Sequence, residues 1–218
     1  MTAAGRTRVK FCGMTSPDDV ALAVEAGADA VGVIVAESSR RVALRDLEAI
    51  AAATPQFVAR IGVLADQGAP EADALRALGF TLQFSGDESP ETCELLAGGL
   101  PYIKVFHLDP SSPHLQPERY AAYSRALWMF DTRVPGRRGG SGLPFDWSAL
   151  ATLSQTRRIV VSGGLTPENV ADCLRAATPY AVDVRSGVES GGRKDAAKMR
   201  AFVDACGVGS TARRTGRE

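Results

Sequence analysis

The chain has 218 residues, and its 25 lysines and arginines balance 25 aspartates and glutamates, so the formal net charge is zero. This balance gives no overall electrostatic attraction to nucleic acid or to an acidic membrane surface, and we expect neither as a partner. Hydrophobic residues make up 45% of the chain, which excludes a wholly disordered protein. No apolar run approaches the ~18 residues that span a bilayer, and no secretory signal is evident, so we expect a cytoplasmic protein.

The cysteines and histidines are too few and too scattered to predict a metal site. No C-x-x-C pair occurs, and the spacing does not match a structural zinc site. We therefore expect reduced thiols rather than a disulfide framework. The residues concerned are Cys12, Cys93, Cys173, Cys206, His107 and His114.

Eight short apolar runs alternate with segments that are mostly long enough for a crossover helix. Continuous apolar strands of this kind are typical of a parallel sheet that is buried on both faces. The predicted strands are Val9–Cys12, Ala30–Ala36, Phe57–Ala65, Phe80–Phe84, Tyr102–Leu108, Ala126–Phe130, Ile159–Val161 and Tyr180–Val184.

Two helix starts share the same chemistry. Ser16-Pro17-Asp18-Asp19 predicts an N-cap, a proline at the first helical position and acids in the first turn, and Gly27 predicts the end of that helix. Thr166-Pro167 predicts a second such start, before a helix that carries Val170 and further apolar positions. One pair of similar units is weak but consistent evidence for a repeated βα architecture.

Eight βα units in series predict a single closed (β/α)8 TIM barrel. The competing fold is an open doubly wound sheet, which would place a glycine-rich nucleotide-binding turn after the first strand. The turn here, Cys12-Gly13-Met14-Thr15-Ser16, contains one glycine and favours the barrel. We expect the barrel domain to cover residues 1–208 and the polar, basic residues 209–218 to form a disordered tail.

In such a barrel the active site lies at the carboxyl ends of the strands. Gly163-Gly164 and Ser186-Gly187 end the last two predicted strands, where backbone N–H groups can bind a phosphate. The alternative is that these glycines only form tight turns.

Three side chains at strand ends are candidates for proton transfer or polar binding. Cys12 ends strand 1 and could act as a base once its thiol ionises, or could be a small buried apolar residue. Asp131 ends strand 6 and could exchange protons with a substrate, or could pair with Arg133, Arg137 or Arg138. Asp183, in strand 8, could bind substrate or serve as a structural hydrogen-bond acceptor.

Basic residues occur in three further settings. Arg40-Arg41 follow strand 2, where a guanidinium could bind carboxylate or phosphate, or where both could be a solvated pair. The segment Pro135–Gly142 is glycine-rich and basic, and predicts either a mobile lid or a plain flexible loop. Lys10 and Lys104 lie inside predicted strands, so each must find a partner or reach the barrel interior.

A set of short motifs in order along the chain resembles the phosphoribosylanthranilate isomerase family of tryptophan biosynthesis. The resemblance runs from about Val9 to Val203 and is specific as an ordered set. Its motifs are Val9-Lys10-Phe11-Cys12-Gly13-Met14-Thr15, Gly27-Ala28-Asp29-Ala30-Val31-Gly32, Ser38-Ser39-Arg40-Arg41-Val42, Phe130-Asp131-Thr132, Gly139-Gly140-Ser141-Gly142, Ser162-Gly163-Gly164-Leu165-Thr166-Pro167-Glu168-Asn169-Val170, Val182-Asp183-Val184, Ser186-Gly187-Val188-Glu189 and Lys194-Asp195.

The resemblance implies a cofactor-free Amadori rearrangement of N-(5-phosphoribosyl)anthranilate to 1-(2-carboxyphenylamino)-1-deoxyribulose 5-phosphate. It implies that Asp131 is the general acid that opens the furanose ring and that Cys12 is the base that removes the proton from C2. Arg40 would bind the anthranilate carboxylate. Gly164 and Ser186-Gly187 would bind the phosphate, and Asp183 would be a secondary site residue. An aldose–ketose shift needs one acid, one base and no redox partner, which agrees with the residues present.

Some positions depart from the pattern usual in that family. Ser85 stands where a histidine is common, Asp66 follows strand 3 in place of an asparagine, and Arg185 replaces a small serine beside the phosphate turn. Arg185 either adds a cation there or points outward. These differences concern efficiency or the exact substrate rather than the reaction class.

Two alternatives to the isomerase are a paralogue acting on another phosphosugar amine and a barrel that binds a phosphoribosyl ligand without turnover. A binder would need neither Cys12 nor Asp131, which favours an enzyme. We expect a monomer or a homodimer.

Overall fold

The computed structural model describes residues 6–108, 115, 117–131 and 147–207. Eight parallel strands form a closed barrel in chain order, and the last strand pairs with the first. The predicted (β/α)8 barrel is therefore confirmed. Its strands are β1 (Arg8–Cys12), β2 (Ala30–Ile34), β3 (Ala59–Leu64), β4 (Thr81–Phe84), β5 (Tyr102–His107), β6 (Ala126–Asp131), β7 (Ile159–Ser162) and β8 (Ala181–Val184).

Seven α-helices surround the described part of the barrel, and no helix there is both long and apolar enough to cross a membrane. A short hairpin lies between β8 and the last helix. The helices are α1 (Pro17–Ala26), α2 (Leu47–Ala53), α3 (Ala69–Ala77), α4 (Pro90–Ala97), α5 (Ala151–Thr156), α6 (Val170–Ala177) and α7 (Ala196–Ala205), and the hairpin strands are β9 (Glu189–Ser190) and β10 (Arg193–Lys194).

The structure describes the crossover from β5 to β6 only in part. In the described part of that crossover the only helical segment is a 3-10 turn, Pro117–Tyr120. The predicted lid, Pro135–Gly142, the domain boundary at residue 208 and the predicted tail lie outside the described residues.

Helix α1 forms as its sequence predicts. The Ser16 side chain accepts a hydrogen bond from the N–H of Asp19, and Gly27 ends the helix with a left-handed φ of 99°. Because only glycine adopts this conformation without a steric cost, the sequence marks that end clearly. Helix α6, in contrast, begins at Val170 and not at the predicted Thr166.

The late start of α6 has a local cause. The side chain of Asn169 accepts a hydrogen bond from the N–H of Thr166 at 2.8 Å and donates one to the carbonyl oxygen of Gly164 at 3.0 Å. These bonds hold the intervening residues in a turn, so the proline precedes the helix instead of opening it.

Several predicted strands are too long, and β3 shows why. Phe57 is fully exposed, and pairing between β2 and β3 begins only at Ala30 and Ala59. An apolar residue next to a strand looks like part of it in the sequence, but the register of the parallel ladder decides where the strand starts.

Side chains alternate along each strand between the barrel interior and the outer layer against the helices. Outside, Phe11 of β1 packs on Phe202 of α7 with ring centroids 6.2 Å apart. Inside, one compact apolar cluster fills the barrel: Ile61, Ile103, Val105, Met129, Val160 and Ala181.

Lys104 in β5 faces outward and forms a buried ion pair. Its Nζ atom donates to Oε2 of Glu88 at 2.8 Å and to the carbonyl oxygen of Gly86 at 2.7 Å. Both charged side chains are at most 4% exposed. These bonds connect the loop between β4 and α4 to β5. The prediction that Lys104 must find a partner is therefore confirmed.

We predict that Lys104→Met lowers the free energy of unfolding by about 3–5 kcal/mol, because it leaves the Glu88 carboxylate buried without its counter-ion. Chemical denaturation followed by circular dichroism measures the change. The double variant Lys104→Met/Glu88→Gln should recover part of the loss, since an amide carries no charge to bury.

Arg41→Met is the matched control for this prediction. Arg41 pairs with Glu37, whose side chain is 90% exposed, and such a pair contributes little to stability. An equal loss in Arg41→Met and Lys104→Met would contradict the argument from burial.

Candidate active site

A cavity of about 280 Å³ opens at the carboxyl ends of the barrel strands. Every strand contributes to its wall, because side chains at inward positions near each strand end point toward the barrel axis. Seven of the eight site residues predicted from the sequence line it, namely Cys12, Asp131, Gly163, Gly164, Asp183, Ser186 and Gly187. Arg40 does not.

Cys12 lies over a buried ion pair inside the barrel. Lys10, two residues before it on β1, donates from Nζ to Oδ1 of Asp183 at 2.7 Å. Lys10 is 4% exposed and Asp183 is 9% exposed, so the two charges compensate each other in a setting where neither would be stable alone. The buried lysine that the sequence singled out therefore reaches the floor of the cavity.

This setting shifts two pKa values. Burial lowers the pKa of Lys10, but Asp183 and Cys12 raise it more, so the ammonium persists above its usual range. Burial raises the pKa of the Cys12 thiol; Lys10 opposes this effect without cancelling it, and Asp183 adds to it. Cys12 is therefore a neutral thiol at pH 7, with an ammonium beside it that favours the thiolate once a proton is lost.

Gly32 makes room for this pair of side chains. It lies opposite Cys12 in the register of β1 and β2, and a Cβ atom built on it would stand 3.0 Å from Nζ of Lys10 and 3.2 Å from Sγ of Cys12. The sequence analysis gave Gly32 no role. The available signal was a glycine between two valines in the interior of a strand, which indicates close approach of another group.

Lys194 connects the ends of the first and last strands. From β10 its Nζ atom donates to the carbonyl oxygens of Cys12 at 2.7 Å and Arg185 at 3.2 Å, and to Oε1 of Glu189 at 3.0 Å. Burial lowers the pKa of Lys194, and the contact with Glu189 offsets this only in part. The sequence analysis assigned no function to either residue of this pair.

Arg40 meets the same carboxylate from the β2 side. Its Nη2 atom donates to Oε2 of Glu189 at 2.8 Å, and its Nε atom donates to Oε1 at 3.3 Å. Burial acts to raise the pKa of Glu189, but hydrogen bonds from Arg40 and Lys194 outweigh it and hold the pKa below its usual value. The guanidinium predicted to bind a carboxylate thus already holds one from the protein.

Asp131 ends β6 with His107 of β5 and Ser162 of β7 as its neighbours in register. Oδ2 of Asp131 lies 3.9 Å from Nδ1 of His107, whose other ring nitrogen is 3.1 Å from the carbonyl oxygen of Ser85. The three arginines that were considered as partners of Asp131 lie outside the described residues. His107 lines the cavity, and the sequence analysis considered it only as a metal ligand and gave it no role.

Gln83 of β4 adds a polar group to the cavity wall. Its Nε2 atom donates to Oγ of Ser85 at 3.2 Å, and its Oε1 atom, which is buried, finds no hydrogen-bond donor within the described chain. Such an acceptor is suited to a hydroxyl or amine of a ligand.

The loops after β7 and β8 touch closely enough to form one surface. A Cβ atom built on Gly187 would lie 1.9 Å from the carbonyl oxygen of Leu165, so only glycine fits there. Gly163 and Gly164 have left-handed φ angles of 87° and 66°. The glycines of the two loops therefore expose backbone to the cavity, as a phosphate site requires.

Charged groups at the cavity do not form a metal centre in the described part of the chain. No group of three or more histidine, cysteine, aspartate and glutamate side chains there could hold a metal ion.

Comparison with known families agrees with this geometry. The model of the N-(5'-phosphoribosyl)anthranilate (PRA) isomerase family matches residues 9–205, which is most of the chain. The chain belongs to this family. One relative, the N-(5'-phosphoribosyl)anthranilate isomerase of Acidithiobacillus ferrooxidans, is 44% identical over 201 residues, covering 90% of this chain and 95% of the relative.

Solved structures of phosphoribosylanthranilate isomerases share the fold. The Thermotoga maritima structure superposes with a TM-score of 0.83 at 34% identity, covering 93% of this chain and 99% of the other. A second structure contains reduced 1-(o-carboxyphenylamino)-1-deoxyribulose 5-phosphate and superposes with a TM-score of 0.79 at 32% identity, with the same coverage.

A third structure shows monomers generated from the dimeric Thermotoga maritima enzyme, with a TM-score of 0.78 at 30% identity over 93% of this chain and 99% of that one. Monomers and dimers thus both occur in solved structures of the family. For this chain, monomer or homodimer stays a prediction.

We predict that iodoacetamide labels Cys12 before the other three cysteines. Cys12 lines the cavity, whereas burial raises the pKa of Cys93, Cys173 and Cys206 to about 12 each. Because the pKa of Cys12 is also raised, its labelling should be slow at about pH 7 and still accelerate above about pH 9, where the thiolate fraction is still increasing. Peptide mass spectrometry across this range measures the rates.

In Cys12→Ser the fast-labelled peptide should disappear while the slow ones remain. Labelling of Cys12 that is already at its maximum rate near pH 7 would contradict the raised pKa.

Proposed function

We propose that this chain catalyses the isomerisation of N-(5-phosphoribosyl)anthranilate to 1-(2-carboxyphenylamino)-1-deoxyribulose 5-phosphate. The observation that carries the proposal is that one cavity holds the Cys12 thiol and the Asp131 carboxyl group, with a glycine-lined backbone surface beside them. An isomerase that acts on a phosphorylated aldose needs one general acid, one general base and a binding site for the phosphate group.

Asp131 acts first in the proposed reaction. Its carboxylic acid donates a proton to the ring oxygen of the ribose, and the C1–O bond breaks as the nitrogen lone pair forms a C1=N double bond. Its position at the end of β6, half-buried and next to His107, gives it access both to substrate and to a second proton-carrying group. The product of this step is an open-chain Schiff base with a positive charge.

Cys12 then removes the proton from C2. The thiolate takes the proton, and the C2–H electron pair forms a C1=C2 double bond while the C1=N electrons return to nitrogen. The neutral enolamine becomes the ketone when C1 is protonated and the C2 hydroxyl loses its proton. Lys10 and the cationic Schiff base both favour the thiolate, which offsets the raised pKa of this buried thiol.

The Lys10–Asp183 pair has a positioning role in this scheme. Asp183 fixes the Lys10 ammonium at 2.7 Å, and Lys10 lies beside the Cys12 sulfur on the same strand. Asp183 raises the pKa of Lys10, so the lysine stays charged over the working pH range. The carboxylate thus acts on the base through the lysine.

The phosphate of the substrate is bound by the loops after β7 and β8. Gly163, Gly164, Ser186 and Gly187 line the cavity there, and the contact of Gly187 with the backbone of Leu165 brings the two loops together. Binding energy from the phosphate is remote from C1 and C2, so it can hold the sugar in place for both proton transfers.

We predict that Asp131→Asn and Cys12→Ser each reduce kcat by at least about 10²–10⁴-fold with smaller changes in KM, because each removes one proton-transfer group and keeps the shape. Fluorescence of freshly prepared N-(5-phosphoribosyl)anthranilate follows the reaction. The double variant should lose less than the product of the two single losses.

Cys173→Ala is the control for Cys12→Ser. Cys173 packs in α6, buried in the outer layer and away from the cavity, so its truncation should leave turnover near the wild-type rate. Near-normal turnover in Asp131→Asn would overturn the assignment of the acid, and near-normal turnover in Cys12→Ser would move the base to another group.

For the phosphate site, we predict that inorganic phosphate inhibits competitively and that Gly187→Ala weakens this inhibition by about tenfold or more, a change of ~1.4 kcal/mol in binding. A methyl group at this position meets the Leu165 carbonyl and must push the two loops apart. Inhibition constants from steady-state assays measure the effect.

Gly68→Ala serves as the comparison. Gly68 has an extended backbone, and a Cβ there makes only an ordinary contact, 3.6 Å from Cδ of Pro70. An unchanged inhibition constant in Gly187→Ala, or an equal change in Gly68→Ala, would speak against phosphate binding between these loops.

A further inference from the structure

His107 is a titratable side chain of the cavity wall to which the reaction scheme gives no step. It ends β5 and lies directly opposite Asp131 in the register of β5 and β6, and both side chains line the cavity. Nδ1 of the imidazole lies 3.9 Å from Oδ2 of Asp131. A proton can therefore pass between the two groups after a small approach or through one bridging water.

A backbone carbonyl sets the protonation pattern of the His107 ring. Nε2 of His107 lies 3.1 Å from the carbonyl oxygen of Ser85. Because a carbonyl oxygen only accepts hydrogen bonds, Nε2 carries a hydrogen in both the neutral and the charged ring. In the neutral ring Nδ1 is then a bare acceptor on the side of Asp131, and in the charged ring Nδ1 carries a second proton that can be transferred.

The loop that carries the Ser85 carbonyl is itself held in place. The N–H of Ser85 donates to the carbonyl oxygen of Leu64 at 2.8 Å, and the carbonyl oxygen of Gly86 accepts a hydrogen bond from Nζ of Lys104 at 2.7 Å. The imidazole therefore rests against a fixed acceptor, and this contact keeps its Nδ1 atom directed toward Asp131.

His107 and Asp131 differ in their access to solvent. The side chain of His107 is 62% exposed, whereas that of Asp131 is 26% exposed. Imidazole gains and loses a proton close to neutral pH, whereas carboxylic acids in water are largely ionised there. The pair thus joins a group that can take a proton from water near pH 7 to a carboxyl group that lies deeper in the cavity.

The charges around His107 leave Asp131 as its partner. Within the described residues, Asp131 is the only charged side chain that pairs with His107. Lys104, also on β5, faces the outer layer and pairs with Glu88. None of the other titratable or charged groups of the cavity wall forms a hydrogen bond or an ion pair with His107 in the described structure; these groups are Cys12, Glu37, Asp183 and Arg185.

We propose that His107 supplies Asp131 with the proton that opens the sugar ring. The Nδ1–H bond of the imidazolium breaks and an O–H bond forms on Oδ2 of Asp131, which then protonates the ring oxygen of the substrate. Neutral His107 takes a new proton from solvent, and the proton that Cys12 removes from C2 returns to solvent, so protons balance over one turnover. The inference rests on the proposed function, and His107 is a positioning residue that acts through Asp131.

Single-turnover kinetics of His107→Gln test this role, because they separate the chemical steps from product release. Glutamine can still donate a hydrogen bond to Ser85 but has no proton to transfer. The rate at pH 7 should therefore fall about tenfold to a hundredfold, less than the largest losses for a group that acts on substrate directly. The loss should shrink toward about pH 5, where a carboxyl group takes up more protons from water itself.

Rescue by free imidazole is the second measurement. His107 is exposed, so His107→Ala leaves room for imidazole next to Asp131, and added imidazole should restore part of the lost rate in proportion to its concentration. Asp131→Asn is the matched control, because it lacks the group that receives the proton, and imidazole should not accelerate it. Circular dichroism of each variant should match the wild-type spectrum.

Four results would overturn the inference. A wild-type rate in His107→Gln would show that His107 contributes only its hydrogen bond to Ser85, and a loss that is equal at every pH would indicate a structural effect. Absence of imidazole rescue in His107→Ala, or equal acceleration of Asp131→Asn, would show that no proton passes through this position to Asp131.

The same data separate this inference from the proposed function. An inactive wild-type protein would overturn the proposed function and the inference with it. An active wild type that depends on Asp131 but not on His107 would overturn the inference alone.

Discussion

Pairing of β1 with β8 closes the barrel, and this closure places Lys10 directly beside Asp183 in the register of the two strands. An ammonium and a carboxylate inside a barrel are each costly to bury, and at 2.7 Å each compensates the other. The same pair lies next to the Cys12 sulfur and modulates its pKa. The Lys10–Asp183 pair therefore depends on closure of the barrel between β1 and β8. The same pair influences the chemistry of the Cys12 thiol.

A second group of charges lies around the hairpin β9–β10, at the rim of the same cavity. Lys194 reaches from the hairpin to the ends of β1 and β8, and Glu189 joins it to Arg40 after β2. These contacts link the ends of β1 and β8 to the segment after β2, while the glycines after β7 and β8 expose backbone to the cavity. The cavity wall thus combines the glycine turns after β7 and β8 with the Cys12 and Asp131 side chains, and Arg185 also lines it.

The sequence by itself determined the barrel and most of the candidate site. Eight apolar runs separated by crossover-length segments indicate parallel strands, and the carboxyl ends of parallel strands in a barrel all meet at one face. Cys12, Asp131 and Asp183 could therefore be placed in one cavity without coordinates, and so could the glycines after β7 and β8. The capping residues of α1 were also readable, since Ser16 and Gly27 act locally. Strand and helix limits were less certain, as the starts of β3 and α6 show.

Only the tertiary structure decided which of these residues contact one another. Lys194 lies 182 positions from Cys12 in the chain and yet hydrogen-bonds its carbonyl oxygen, because barrel closure brings the last segment to the first strand. The need for glycine at positions 32 and 187 likewise arises from atoms on other strands and loops. Sequence periodicity shows on which face of a strand or helix a side chain lies, but not which residue it contacts there. For that reason the sequence left carboxylate, phosphate and solvent open as partners of Arg40, and only the structure shows its hydrogen bonds to Glu189.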